Sequence, residues 1–234
     1  MGAHHRHRHR RIGLIIPSSN TTMEVEFTRH LPEGVSVHSA RVHLERVTVE
    51  ELEGMAERVE EAALLLGDAR VDLIVYGCTT GSLIKGKGYD LELERRIEGA
   101  TGIPALATAH AVLEALKERG LKRIVVATPY IAEVNEKERE FLLANGLEVV
   151  AIRGLGLLRN QEIGLQEPRV VYKLGEELME EHPEAEGLFI SCTNLRTFEV
   201  LRPLEDELRK PVISSNQATL WQALKKIDMR RESP

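Results

Sequence analysis

A chain of 234 residues that is 42% hydrophobic and 29% charged has enough apolar material for one large or two smaller domains, which excludes wholesale disorder. Its formal net charge is −6 with acidic and basic residues interspersed, so it offers no basic stripe to a nucleic-acid backbone. No apolar run approaches the roughly 20 residues of a membrane span and the N-terminus lacks a secretory apolar core, which sets the expectation of a cytoplasmic protein without a membrane partner.

The first ten residues alternate His and Arg and read as a tag or disordered tail. Short aliphatic runs and longer amphipathic segments then alternate. Ile12–Ile16 and Val35–Val42 read as strands, and Val49–Leu66 reads as one helix with Leu52, Met55, Val59, Ala62, Ala63 and Leu66 at helical spacing. Leu73–Tyr76 is the next strand and Ala109–Lys117 the next helix. Ile124–Ala127 (strand), Glu133–Leu143 (helix), Leu147–Ile152 (strand), Val170–Glu181 (helix), Leu188–Ile190 (strand) and Ala218–Ile227 (helix) complete the pattern. Strand and helix in alternation imply parallel sheets.

The two halves of this pattern are alike. At an offset of 112 residues, Arg11, Ile12, Pro17, Glu24, Glu26, Leu31, Gly34, Val37 and Arg41 meet identical residues at 123, 124, 129, 136, 138, 143, 146, 149 and 153. At an offset of 114, Val71–Thr80 resembles Ala185–Asn194, so that Cys78 and Cys192 fall at the same point of each half, and Ile103-Pro104 with its following helix resembles Lys210-Pro211 with its own. The expectation is two similar Rossmann-like α/β domains with parallel sheets, related by a pseudo-twofold axis, with the active site in the cleft between them. The first would take residues 11–117 plus the final helix within 218–234, and the second 118–217.

Ligands collect at the carboxyl ends of strands in open α/β sheets, where both cysteines fall. A chain with two cysteines in a reducing compartment has no disulfide framework, so each thiol needs its own explanation. Opposed thiols suit chemistry at a carbon flanked by carboxylate: one adds to the carbon or removes its proton, while the other delivers a proton from the opposite side, with no metal or cofactor. Such a thiol has to ionise, and the expectation is that helix N-termini and N–H donors lower its pKa. Ser18, Ser19, Asn20, Thr79, Thr80, Thr193 and Asn194 are available to hold substrate carboxylates. Taken singly, either cysteine reads better as a small buried hydrophobe, and the pairing of the two at matching strand ends is what favours a functional role. His110 reads as a helix-start residue, and Arg196 as a salt-bridge residue or a carboxylate contact.

These residues resemble the aspartate/glutamate (Asp/Glu/hydantoin) racemase superfamily, and within it the maleate cis-trans isomerase branch, from Arg11 to about Ile227. Pro17-Ser18-Ser19-Asn20-Thr21-Thr22-Met23-Glu24, Thr128-Pro129-Tyr130, Arg159-Asn160 and the two cysteine segments carry the resemblance. It implies that Cys78 is the nucleophile, Cys192 its acid/base partner, and Asn20, Tyr130 and Asn160 groups that hold substrate carboxylates. The implied reaction is maleate to fumarate through a covalent succinyl-like adduct on Cys78, in a homo-oligomeric, cofactor-independent isomerase. The segment Ser191–Thr197 looks more like the racemase-like proteins of ectoine breakdown. An amino-acid or hydantoin racemase and a non-catalytic carboxylate-binding protein stay open beside the isomerase, the substrate being a small dicarboxylate or an amino acid.

Overall fold

The computed structural model describes residues 9–227. The first half runs β1 (Arg10–Pro17), α1 (Met23–His30), β2 (Val35–Val42), α2 (Val49–Glu57), α3 (Val59–Asp68), β3 (Leu73–Tyr76), α4 (Tyr89–Thr101), β4 (Ala105–Ala107) and α5 (Thr108–Glu118). The second runs β5 (Arg123–Thr128), α6 (Ala132–Ala144), β6 (Glu148–Gly154), α7 (Asn160–Gly164), α8 (Pro168–Glu181), β7 (Gly187–Ile190), α9 (Phe198–Leu208), β8 (Val212–Ser214) and α10 (Ser215–Lys226). Two four-stranded parallel sheets result, ordered β2-β1-β3-β4 and β6-β5-β7-β8. The duplication extends to register. Ile12 lies opposite Val37 and Leu73, while Ile124 lies opposite Val149 and Gly187, at the offsets of 112 and 114 read from the sequence.

β3 and β7 are buried along their whole length, as befits parallel strands with helices on both faces. The helices that close the halves are exchanged. Ala109, Val112, Ala115 and Leu116 of α5 pack with Ile124, Val126 and Phe189 of the second sheet. Leu220, Ala223 and Leu224 of α10 pack with Ile12, Leu14, Leu73 and Val75 of the first. The boundary expected near residue 117 therefore follows a helix that already packs on the other half.

The expected helix over Val49–Leu66 is two helices. Arg58, at φ −101° and ψ 11°, interrupts it. The two pieces serve different neighbours, because α2 packs on the turn that follows Cys78 whereas α3 packs on β2 and α4; the bend keeps Leu52 and Met55, and then Val59, Ala63 and Leu66, in the core. β4, β8, α1, α4, α7 and α9 were not expected as elements. β4 and β8 are three residues each, too short for a periodic signal, and contain alanine and serine. Of the expected tail, residues 1–8 lie outside the described residues, and Arg10 already belongs to β1.

Candidate active site

The turn after β1 ties the two halves together. Asn20 Oδ1 accepts from the backbone N–H of Thr22 and of Met23 (3.0 Å each), capping α1, while its Nδ2 donates to Thr193 Oγ1 (3.0 Å). Ser18 is exposed, and its Oγ accepts from Leu44 N (3.2 Å). Ser19 donates to the Leu44 carbonyl and accepts from Asn160 Nδ2 (2.9 Å). The two serines thus pin the segment after β2 over the strand ends.

Each cysteine follows its strand directly. Thr79 Oγ1 donates to Ser215 Oγ (2.8 Å), which also accepts from Cys192 N (3.1 Å), and Thr193 Oγ1 donates to the Gly77 carbonyl (3.1 Å). The two cysteine segments are therefore laced to each other. Asn194 accepts from Thr21 N at its Oδ1 (2.9 Å) and donates from Nδ2 to the Asn160 carbonyl (2.7 Å). Gly81 has no room for a side chain: a Cβ there would stand 3.0 Å from Cys78 Sγ and 2.9 Å from Tyr76 Oη.

Cys78 and Cys192 line one cavity, with Thr79, Thr80, Tyr130, Asn160 and Thr193 beside them and Pro17, Leu44, Val47 and Leu52 as an apolar wall. Its volume is about 10 Å³, what a single water fills. Of the residues expected at the site, Ser18, Ser19, Asn20 and Asn194 do not line this cavity; they brace the segments that do. Sequence reasoning missed the wall and Ser215. Ser215 had a readable signal, since it stands 107 residues after Thr108, the same offset as Pro211 from Pro104.

Both cysteines are nearly inaccessible, at 6% and 4% exposure. Burial pushes the Cys78 thiol up to about 11, against the opposing pull of the Gly81 N–H and the Thr80 hydroxyl. Burial pushes Cys192 up to about 12; the Tyr130 hydroxyl and the Asn194 N–H pull it down and the neighbouring Cys78 charge pushes it further up. This corrects the expectation of lowered thiol pKa values. Only a three-residue 3₁₀ turn, Thr80–Ser82, follows Cys78, and α9 begins six residues after Cys192, so neither sulfur sits on the N-terminus of a full helix.

The cavity is roofed by contact between the halves. Val47 N donates to the Leu158 carbonyl (2.8 Å) and Asn160 N to the Glu45 carbonyl (2.9 Å), an antiparallel bridge that pairs Arg46 with Arg159. Outside the roof lies a vestibule of about 210 Å³ lined by Ser19, Glu45, Arg46, Arg159 and Gln161. His110 does stand in the first turn of α5, paired with Glu94 (2.7 Å), and Arg196 is half-exposed and pairs with Glu199 (3.8 Å). Neither lines the cavity.

A duplicated pair of parallel sheets with one thiol from each half facing a common, hydroxyl- and amide-lined cavity defines a two-thiol α/β protein of the racemase type. The chain belongs to the arylmalonate decarboxylase family, whose sequence model matches residues 12–234. A maleate isomerase of Geobacillus stearothermophilus is 30% identical to it across 97% of this chain and 95% of that protein. The crystal structure of the maleate isomerase of Pseudomonas putida S16 with maleate superposes with a TM-score of 0.90 at 29% identity, covering 94% of this chain and 92% of that one. A Nocardia farcinica maleate cis-trans isomerase variant with a covalently bound succinylcysteine intermediate gives a TM-score of 0.89 at 27% identity, over 94% of this chain and 93% of that one.

Proposed function

We propose that the protein isomerises maleate to fumarate, with Cys78 as nucleophile and Cys192 as acid/base partner. The observation that carries this is the pair of sulfurs on one cavity, at equivalent points of a repeat. The reaction needs one thiolate and one thiol. The Cys78 thiolate forms a carbon–sulfur bond to one alkene carbon while the π pair takes the Cys192 proton at the other, leaving Cys192 as thiolate. The central bond, now single, rotates. Cys192 then removes a proton from the carbon it protonated, the double bond re-forms, and the sulfur of Cys78 leaves with its electron pair. Charge is conserved throughout: one negative sulfur passes between the walls.

With both thiols pushed up by burial, ionisation of Cys78 is the costly step, and Gly81 N–H and Thr80 are the groups that favour it. Tyr130, Asn160 and Thr80 face the cavity as donors for two carboxylates, and Thr79, Thr193 and Asn20 join them by exchanging Ser215, the Gly77 carbonyl and Thr193 respectively for substrate. A four-carbon dicarboxylate is several times larger than the cavity, so turnover includes parting of the Arg46–Arg159 bridge; the Arg46 guanidinium is paired with Glu51 (2.7 Å), which leaves Arg159 as the vestibule cation that attracts the dianion. The reading includes a cytoplasmic, self-associating enzyme that binds no nucleic acid; among the described residues no helix is long and apolar enough to cross a membrane.

The test is incubation with maleate in buffer free of cofactors. Fumarate appears with the wild type, and Cys78→Ser and Cys192→Ser each lower the rate at least about a thousandfold with melting temperatures little changed. Absence of fumarate, with α-deuterium uptake by aspartate or glutamate in deuterated water, would transfer the site to a racemase. Ligand binding with no turnover of any acid, unaffected by either substitution, would make it a binding protein.

A further inference from the structure

The first turn of α10 grips the segment that carries Cys192. Ser215 Oγ accepts from Cys192 N (3.1 Å), and the next residue, Asn216, donates from Nδ2 to the Thr193 carbonyl (3.0 Å). The other hydrogen of that Nδ2 goes to Glu26 Oε2 (2.7 Å). Asn216 is fully buried, and among the described residues its Oδ1 has no hydrogen-bond partner. A buried acceptor left unpaired is costly, so the amide is held one way round by the two acceptors beside its nitrogen. Turned over, it would set oxygen against both the Glu26 carboxyl and the Thr193 carbonyl. α10 packs on the first sheet and Glu26 belongs to α1, so the first half grips the thiol segment of the second.

The Thr193 carbonyl and the Asn194 N–H belong to one peptide group. That group is planar and trans, so its oxygen and its hydrogen point in opposite directions. Asn216 holds the oxygen end, and the hydrogen end donates to Cys192 Sγ (3.3 Å). A donor on the carbonyl also polarises the peptide and strengthens the bond its N–H makes. Because the peptide lies just beyond a residue strained at φ 118°, its tilt depends on such anchors.

The first half anchors the equivalent carbonyl by other means. Thr79, the counterpart of Thr193, has its carbonyl held by Ser82 Oγ (2.8 Å), which in turn accepts from Ala109 N (3.0 Å). Ala109 is the counterpart of Asn216 at the offset of 107 residues and has no amide side chain to offer. The repeat thus keeps the anchor and changes its source.

We propose that Asn216 is a positioning residue for Cys192: it holds the Thr193–Asn194 peptide so that the Asn194 N–H stays on the sulfur and favours its thiolate, while Glu26 keeps the Asn216 amide the right way round. This deepens the proposed function, in which Cys192 is left as thiolate once it has protonated the substrate carbon, and rests on that reading.

The test reads the thiol itself. With Cys78→Ser, Cys192 is the sole thiol, and its alkylation by iodoacetamide is followed from about pH 7.5 to 9.5. Asn216→Leu, which keeps the volume, and Asn216→Ala, which admits water, each slow the reaction about tenfold at every pH, the effect of raising the Cys192 pKa by about one unit. A loosened core acts the other way, exposing the sulfur and speeding the reaction. Glu26→Gln is the third variant. Its oxygen stays on Thr197 N and Phe198 N, which puts its NH₂ group against Asn216 Nδ2. The Asn216 amide then turns over, the Thr193 carbonyl loses its donor and alkylation slows by a similar factor, whereas loss of a nearby negative charge alone would speed it. In a Cys192→Ser background the same substitutions hardly change the alkylation of Cys78. Rates for Cys192 that are unchanged or faster, or that fall equally for both thiols, overturn the proposal, and any one of the three variants that folds decides it. In the protein with both cysteines, Asn216→Leu lowers kcat for maleate and leaves KM near the wild-type value, because no contact to a substrate carboxylate is lost. A wild type that makes no fumarate refutes the proposed function, while the alkylation rates still decide this inference.

Discussion

Cys192 holds its backbone at φ 118°, a region that residues with a side chain avoid, at a cost of order 1–3 kcal/mol. The strain is held in place by the bond from Cys192 N to Ser215 Oγ and by the Asn194 N–H, which donates to the sulfur (3.3 Å). The same turn that aims the thiol into the cavity therefore supplies a donor for its anion. Burial outweighs that donor, holding the Cys78 thiol at about 11 and the Cys192 thiol at about 12. Alkylation of the substrate-free protein by iodoacetamide is accordingly slow at pH 7 and rises about tenfold per pH unit toward the Cys78 value of about 11; fast reaction of either thiol at pH 7 would show that the N–H donors win after all. Gly81→Ala forces a methyl against the Cys78 sulfur and the buried Tyr76 hydroxyl, so kcat/KM for maleate is expected to fall more than tenfold and the melting temperature to drop by the few degrees that about 1–3 kcal/mol of overpacking gives.

At the scale of elements, the site is a set of strand ends joined by side chains that cap one half and grip the other. Asn20 is the clearest case, with its carbonyl oxygen on the first turn of α1 and its amide nitrogen on Thr193 across the cleft. Asn20→Ala should cost about 2 kcal/mol in urea denaturation, the sum of a lost cap and a lost buried hydrogen bond, whereas Asn20→Asp should recover the cap portion. The roof makes a separate prediction. Arg159→Ala removes a vestibule cation without touching either sulfur, so KM for maleate should rise several-fold with kcat nearly unchanged, and the effect should shrink in high salt. An equal fall in kcat would place Arg159 in the chemistry instead.

For the molecule as a whole, the buried carboxyls set how stability varies with pH. Glu138 has a folded-state pKa raised from 4.5 to about 7, so the folded protein holds a proton that the unfolded chain releases sooner. Its contribution is fully present below about 4.5 and is lost as pH rises through about 7, a swing of order 3 kcal/mol. Glu138→Gln is therefore expected to be more stable than wild type at pH 8 and to lose that advantage below about pH 4.5, as read from urea midpoints. The exchange of α5 and α10 between the sheets makes unfolding one cooperative transition, because neither sheet keeps its cover when the other opens.

How much of this was legible follows from what each feature depends on. Alternation of aliphatic runs with amphipathic segments announced parallel sheets, and the 112- and 114-residue offsets announced the duplication and put Cys78 and Cys192 at equivalent strand ends, because period and repeat are properties of local order along the chain. The three-residue strands β4 and β8 escaped, since a pattern needs more residues than they have; the break at Arg58 escaped because it answers to the different surfaces under α2 and α3. The thiol pKa values came out opposite to expectation: whether a sulfur meets a helix terminus or packed hydrocarbon depends on turns that the sequence does not specify. The same holds for Glu26 and Glu138, identical in the repeat and distinguished only by what the fold brings beside each: hydrogen bonds from Thr197 N, Phe198 N and Asn216 Nδ2 for the one and none for the other. Residue identity fixed the available chemistry and its repetition. Burial and partners, which set the cost of a charge, were decided by contacts between segments far apart in the chain.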